Sequence, residues 1–323
     1  MRQMTIHGAL LAFAAVFAVV TGANDGGSLL AAGLKLVSMR VAAAGVVVVA
    51  FVAAGPLVFG TRVATTFAHH LVAFSGSHAQ AALLVAVLAA IVVAATLTVG
   101  GLPTSLTLAV IGAIAGSGFG YGLPVSWRST GLVLAVGMAA PLAGAGLAYA
   151  IGRLLWVVPV RASAARVLRR WHRVAFGLQC LAYSVNDGQK MLAVFALAAG
   201  ATAGSVAAAS WHLLAIAGLF ALGMLLGLPR IARSLDSGVL AVRASHVVAA
   251  ELAAAGAVLG TAAAGLPVSM TQALAGGLVG AGVSEGYGRV RWDAAGRILL
   301  AWIFTLPASF ALGAAVSGAL RAW

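Results

Sequence analysis

Long apolar windows dominate the chain, and the polar residues inside them are few. Residues 41–60, 81–100, 130–155, 207–228 and 298–319 carry almost no charge. Each is long enough to cross a hydrocarbon core of roughly 30 Å as a helix. The ten-residue segments of alternating polarity that a membrane β-barrel needs are not visible. The pattern predicts an all-α polytopic membrane protein of about ten spanning elements plus hairpins. The first apolar run, 6–22, has the length of a signal-peptide core. It leads directly into a polar motif that cleavage would detach, so it reads as part of the fold.

Polar interruptions recur twice in one order, the mark of an internal repeat. Thr21-Gly22-Ala23-Asn24-Asp25-Gly26 matches Tyr183-Ser184-Val185-Asn186-Asp187-Gly188 at an offset of 162 residues. Gly101-Leu102-Pro103-Thr104-Ser105-Leu106-Thr107 matches Gly265-Leu266-Pro267-Val268-Ser269-Met270-Thr271 at 164. Trp127 matches Trp292 at 165, and Pro141 matches Pro307 at 166. The chain therefore divides into a repeat at 1–152, a basic connector at 153–173 that is helical from residue 163, and a second repeat at 174–323. Each half has an apolar lead-in to its Asn-Asp pair, two spans, a Gly-Leu-Pro segment and a last span.

Asn, Asp and Gly favour caps and turns over helix interiors, so both Asn-Asp pairs are expected where a membrane helix breaks. Proline favours a first helical turn and Ser/Thr beside it supply caps, so helices should begin at Ser105 and Ser269 inside the protein. The runs 108–115 and 273–282 are short and glycine-rich, which suits re-entrant hairpins better than full spans. A helix amino end with free N–H groups and hydroxyls is an anion site. Broken helices repeated in both halves mark the substrate site of secondary transporters.

Composition sharpens this picture. The chain is 63% hydrophobic and 8% charged, more apolar surface than a soluble domain of this size can hide. A net charge of +13 would suggest nucleic acid in a soluble protein. Here the arginines fall between apolar spans, as cytoplasmic loops demand, and no aromatic-interleaved soluble module is present. The densest cluster is Arg161, Arg166, Arg169, Arg170 and Arg173, which places the connector inside the cell. The single cysteine, Cys180, excludes an internal disulfide. The histidines lack metal-ligand spacing, and His69-His70 reads as a loop. Only six residues are acidic, and two of them are Asp25 and Asp187. A carboxylate at membrane depth costs several kcal/mol unless paired, protonated or cation-bound, and is functional by default. A membrane enzyme would need a nucleophile or metal constellation beside them, and no convincing one appears.

These motifs resemble the inorganic phosphate transporter (PiT) family. That family carries Gly-Ala-Asn-Asp-x-Ala-Asn in one half and His-Gly-x-Asn-Asp-x-Gln-Lys in the other, each followed by Gly-x-Pro-x-Ser-Thr-Thr. Gly22-Ala23-Asn24-Asp25, Asn186-Asp187-Gly188-Gln189-Lys190 and Gly265-Leu266-Pro267-Val268-Ser269-x-Thr271 carry the match. The chain departs from the family at Ser28, Tyr183-Ser184, Leu106, Met270 and Gln272, and Val87 stands where Glu251 would have a first-half counterpart. The resemblance implies two inverted structural repeats and an anion symporter of the inner (cytoplasmic) membrane. Its partners are inorganic phosphate, a coupling cation and the bilayer; a homodimer is one compatible assembly. No cofactor is implied beyond co-transported Na+ or H+. The lost oxygen ligands bear on sodium coupling more than on anion binding.

Moving one negative charge inward against an inside-negative potential costs roughly 2.3 kcal/mol per 100 mV, so uptake needs accompanying cations. Within the resemblance, the phosphate-binding set is Asn24, Asp25, Thr104, Ser105, Thr107, Asn186, Asp187, Ser269 and Thr271. The coupling-ion set, for sodium or a proton, is Asp25, Ser28, Asp187, Gln189 and Glu251. Lys190 balances charge. Duller readings stand beside these: Lys190 as a snorkelling lysine, Glu251 as an arginine partner, and the Ser/Thr hydroxyls bonded to their own helices. Sulfate is the alternative anion. An aspartate that touches the substrate accepts a phosphate O–H and repels a fully deprotonated dianion.

Overall fold

The computed structural model describes residues 2–34, 39–99, 104–157, 164–200, 210–236 and 243–323. Their architecture is helical, and the β pairing found among them is an isolated bridge between Val72 and Val125. In chain order the helices are α1 (Arg2–Thr21), α2 (Gly27–Leu34), α3 (Val41–Phe59), α4 (Arg62–Thr65), α5 (Ala79–Val99), α6 (Leu106–Tyr121) and α7 (Trp127–Val157). They continue as α8 (Ala164–Tyr183), α9 (Gln189–Ala198), α10 (Ser210–Asp236), α11 (Ala244–Ala263), α12 (Met270–Glu285) and α13 (Trp292–Arg321). Both ends of the 153–173 stretch are helix, as the terminus of α7 and the start of α8.

The Asn-Asp pairs do not end their helices. Gly22–Gly26 joins α1 to α2, and Ser184–Gly188 joins α8 to α9, each as a single π-helical turn. The expected break is thus a widening: one extra residue enters the turn and the chain continues as helix on either side. Such bulges preserve most of the hydrogen-bond ladder while re-aiming side chains, and they gather at functional sites. A third π turn, Thr66–His70, follows α4 and takes in the His69-His70 pair expected in a loop. Burial, and secondarily the neighbouring His70, lowers the pKa of the His69 imidazole from its ordinary value.

Six helices among the described residues are long and apolar enough to cross a membrane, spanning His7–Ala31, Val41–Phe59, Ala79–Leu97, Trp127–Leu155, Ala244–Ala263 and Trp292–Arg321. The run expected at 207–228 falls on α10, which is apolar across Trp211–Gly227. α6 and α12 have 16 residues each. At 1.5 Å per residue that is roughly 24 Å, short of a full crossing. Leu106 to Gly118 in α6 is buried throughout, as befits a helix apolar on every side.

These two short helices are gripped crosswise. α6 packs on α5 and on α13, while α12 packs on α11 and on α7. Glycines let the backbones touch, in the manner of small-residue membrane interfaces. A Cβ on Gly116 would lie 2.2 Å from the Phe310 carbonyl oxygen, and one on Gly280 would lie 2.0 Å from that of Ala145. The Asn-Asp turns are gripped in the same crosswise way, Gly22–Gly26 by α10 and Ser184–Gly188 by α3. Gly22 approaches α10 so closely that a Cβ would sit 2.1 Å from the Phe220 carbonyl oxygen.

Gly280→Ala should therefore lower the thermal stability of the detergent-solubilised protein by about 1–3 kcal/mol, the cost of overpacking. Gly296→Ala, with open space at its Cβ, should be neutral or slightly stabilising on the same unfolding curve.

Candidate functional site

Asp187 is the node at which the Gly-Leu-Pro segments and one Asn-Asp turn meet. It sits inside the π turn of Ser184–Gly188, 3% exposed. Its Oδ2 accepts the backbone N–H of Met270, the first residue of α12, at 2.9 Å. Its Oδ1 is hydrogen-bonded and ion-paired to the Lys190 ammonium one helical turn on, and Thr107 Oγ1 approaches the same oxygen at 3.4 Å. Lys190, also 3% exposed, donates in addition to Thr107 Oγ1 and, at 2.9 Å, to the carbonyl of Val268. A carboxylate, a hydroxyl and a carbonyl thus surround one ammonium. Lys190 is a buried counter-ion; its head does not snorkel to water.

Asn186 fastens the backbone next door. Its Nδ2 donates to the Leu266 carbonyl at 3.2 Å, and its Oδ1 accepts the Val268 N–H at 3.0 Å. The turn before α12 is therefore held by a side chain from the Asn-Asp motif. Ser105 and Ser269 cap α6 and α12 as the sequence predicts, accepting from Leu108 and Gln272 N–H at 3.4 Å each. Ser269 and Thr271 share a hydrogen bond at 2.8 Å.

The first Asn-Asp turn is built differently. Asp25 is 3% exposed; its Oδ1 accepts from Asn24 Nδ2 at 2.9 Å and its Oδ2 from Tyr183 Oη at 3.4 Å. Tyr183 immediately precedes the second π turn, so the two turns meet in the interior, near enough for Asp187 and Lys190 to act on Asp25 electrostatically. No salt bridge to Asp25 occurs among the described residues.

Other expected residues fall elsewhere. Ser28 is exposed and its hydroxyl bonds back to the Asn24 carbonyl at 2.9 Å. Gln189 holds backbone, accepting from Ala64 N–H at 3.0 Å and donating to the Gly60 carbonyl at 2.8 Å, so it caps α4 from across the protein. Thr104 pairs with Thr305 of α13 at 3.0 Å. Glu251 is fully buried beside His172, at 3.4 Å, between α8 and α11. Arg243, the nearest preceding arginine in the chain, meets Glu285 at 3.0 Å, where His246 also binds at 2.8 Å. Among the described residues no three His, Cys, Asp or Glu side chains group to hold a metal. The lead-in at 101–103, Lys35 and Arg161 lie outside the described residues.

Two contributors were missed in the sequence. Tyr183 was available from the motif alignment, where it stands in place of a family residue. Gln272 is buried with neither amide atom partnered among the described residues; like Tyr183, it is a position at which the chain departs from the family motif.

A family model described as the phosphate transporter family matches residues 21–178 and 159–313. A Mycobacterium tuberculosis (strain H37Rv) protein described as a probable low-affinity inorganic phosphate transporter is 35% identical over 231 residues, covering 68% of this chain and 55% of its own. One from Mycobacterium leprae is 32% identical over 225 residues, covering 66% and 54%. One from Bacillus subtilis is 28% identical over 222 residues, covering 66% and 67%. The matched region spans about half the length of the mycobacterial relatives. A solved structure described as the sodium-dependent phosphate transporter superposes with a TM-score of 0.84 over 98% of this chain and 99% of that one, at 17% identity. At that identity the likeness establishes the fold.

Removing one member of a buried ion pair costs about 3–5 kcal/mol, mostly for the charge left behind. Lys190→Met should destabilise the protein on that scale, and adding Asp187→Asn should recover most of the loss. Thermal unfolding of the two single variants and the double variant checks the cycle; strict additivity would show that the pair is not coupled.

Proposed function

Because the chain belongs to the phosphate transporter family, whose members are carriers and not enzymes, we propose that it imports inorganic phosphate by cation symport as a multi-pass protein of the inner membrane. One observation carries this reading above the rest. Two duplicated Asn-Asp turns, each from a different half, meet in the interior beside the amino ends of α6 and α12. Helix amino ends supply N–H donors and a positive dipole end for an oxyanion. The crosswise packing of α6 with α13 and α12 with α7 is the contact pattern that two inverted repeats would produce. In this reading Thr107, Asn186, Asp187, Ser269 and Thr271 line the substrate side, with Asn24 and Asp25 opposite.

The cation divides unequally between the two aspartates. Asp187 already holds a tethered one, the Lys190 ammonium. The residue at the matching place in the first half is Ser28, which carries no charge and faces outward. Asp25 therefore takes the mobile cation, sodium or a proton, with the Asn24 amide beside it. Ser28, Gln189 and Glu251 leave the coupling set, each being committed or placed elsewhere. The sodium dependence by which the structural neighbour is described favours sodium. The descriptions of the relatives above favour phosphate over sulfate.

Radiolabelled phosphate uptake into proteoliposomes, under an imposed sodium or proton gradient, tests this directly. Wild-type protein should accumulate phosphate against its gradient, and excess sulfate should compete poorly. Asp25→Asn should keep the fold and lose at least about tenfold in gradient-driven uptake, 1.4 kcal/mol or more. Undiminished accumulation by that variant would remove Asp25 from the coupling.

A further inference from the structure

A cleft of about 350 Å³ lies behind the turn that Asn186 fastens, with Arg62, Thr65, Thr66, His70 and Ser129 as its polar lining and Leu132, Val133 and residues 264–266 completing the wall. Among the described residues no acidic side chain lines it. Arg62 anchors one N–H of its guanidinium on the Ala263 carbonyl at 2.9 Å, which leaves the rest of its planar donor fork for a ligand. Thr66 donates to the Gly265 carbonyl at 2.7 Å from the cleft side of the turn. On its other side the same turn is held by Asn186 through Leu266 and Val268, and by Lys190 through Val268. A single peptide turn thus separates the cleft from the Asp187–Lys190 pair. That turn is tight: Gly265 has φ +70°, and a Cβ there would sit 3.3 Å from the Arg62 Cβ.

We infer that this cleft is a second, outer anion site, which takes a phosphate-type oxyanion on Arg62 with donors from His70 and Ser129, and that the 264–268 turn is the partition between it and the central site. The inference rests on the transport reading above. Arg62 is the one charged side chain in the described lining, and a positive charge without an acidic neighbour in the cleft attracts an anion before the buried site is reached. A guanidinium suits a tetrahedral oxyanion because its N–H groups bind two oxygens at once. The chemistry is shared by free phosphate and by a phospholipid headgroup, so the source is decided by experiment.

Ser129→Cys places a thiol in the cleft, and the one native cysteine, Cys180, is buried. Its labelling by a negatively charged methanethiosulfonate should slow when inorganic phosphate is added in lipid-free detergent, if free phosphate is the occupant. Slowing only in phosphatidylglycerol nanodiscs would support the site with a headgroup as occupant. Arg62→Gln in the same background should cut the anionic labelling rate on the order of tenfold and abolish protection. Arg62→Lys should restore part of both, and a neutral reagent should react equally in all three. Absence of protection by either phosphate source, or protection that survives Arg62→Gln, overturns the inference. Transport separates the two readings: wild-type uptake without protection sinks only the outer site, while protection without any uptake sinks only the carrier.

Discussion

A buried ammonium–carboxylate pair holds the centre of this protein together. Lys190 and Asp187 sit one helical turn apart, yet their remaining bonds reach the first turn of α6 through Thr107, the first turn of α12 through Met270 N–H, and the preceding turn through Val268. Desolvating both charges costs several kcal/mol each, and attraction offsets this only when the other lone pairs and protons are also satisfied. Here they are satisfied by backbone groups that the short helices would otherwise leave bare. Each half of the problem solves the other: α12 gains an acceptor at its amino end, and Asp187 gains a donor. Such a pair confers little net stability, but it fixes where two helix ends must stand.

Duplication supplied two such turns, and they have diverged at the positions that matter. Asn24-Asp25 and Asn186-Asp187 keep the same letters, but Gly27 and Ser28 stand where the second copy has Gln189 and Lys190. The second copy therefore reaches out, Gln189 to α4 and Lys190 to the α6 and α12 ends. The first copy makes no comparable cross-links among the described residues; its carboxylate meets an amide from its own turn and a phenol from the other. One aspartate is tied into the structure by Lys190 and the Met270 N–H, the other is left with spare acceptor capacity. A carrier that binds and releases a cation needs the second kind.

Much of this was legible in the residues. Apolar windows marked the spans, and the Pro-x-Ser spacing marked the caps at Ser105 and Ser269, because proline and a short hydroxyl side chain have few other uses at a helix start. The crosswise gripping of α6 and α12 was not legible. Hydropathy counts apolar residues without saying which helix they will touch, and the stripe Gly112, Gly116 and Gly120 is indistinguishable in sequence from loop glycine. The π turns were misjudged as breaks, since the same Asn, Asp and Gly residues weaken a helix whether it stops or merely widens. The deciding contacts are tertiary: Gly22 packs directly on the α10 backbone, a neighbour that local propensity does not register. The neighbour of Glu251 was illegible for a related reason. Its partner, His172, is 79 positions away, a distance at which spacing rules say nothing.

In the proposed transport reading, selectivity and coupling meet at Asp25. Phosphate near neutrality keeps at least one O–H, and an ionised carboxylate can only accept. On Asp187, Oδ2 is taken by the Met270 N–H and Oδ1 by the Lys190 ammonium, with Thr107 close by, so little remains for a substrate hydroxyl. On Asp25, the bond to Tyr183 is stretched at 3.4 Å, beyond the usual length for a hydroxyl donor. If a carboxylate reads the substrate proton, it is this one. A sulfate dianion would meet Asp25 without a proton to share, and only a cation bound there would offset the repulsion. On that proposal, the occupant that couples transport to a gradient also sets how sharply the two anions are told apart, and a change at Asp25 should alter both properties together.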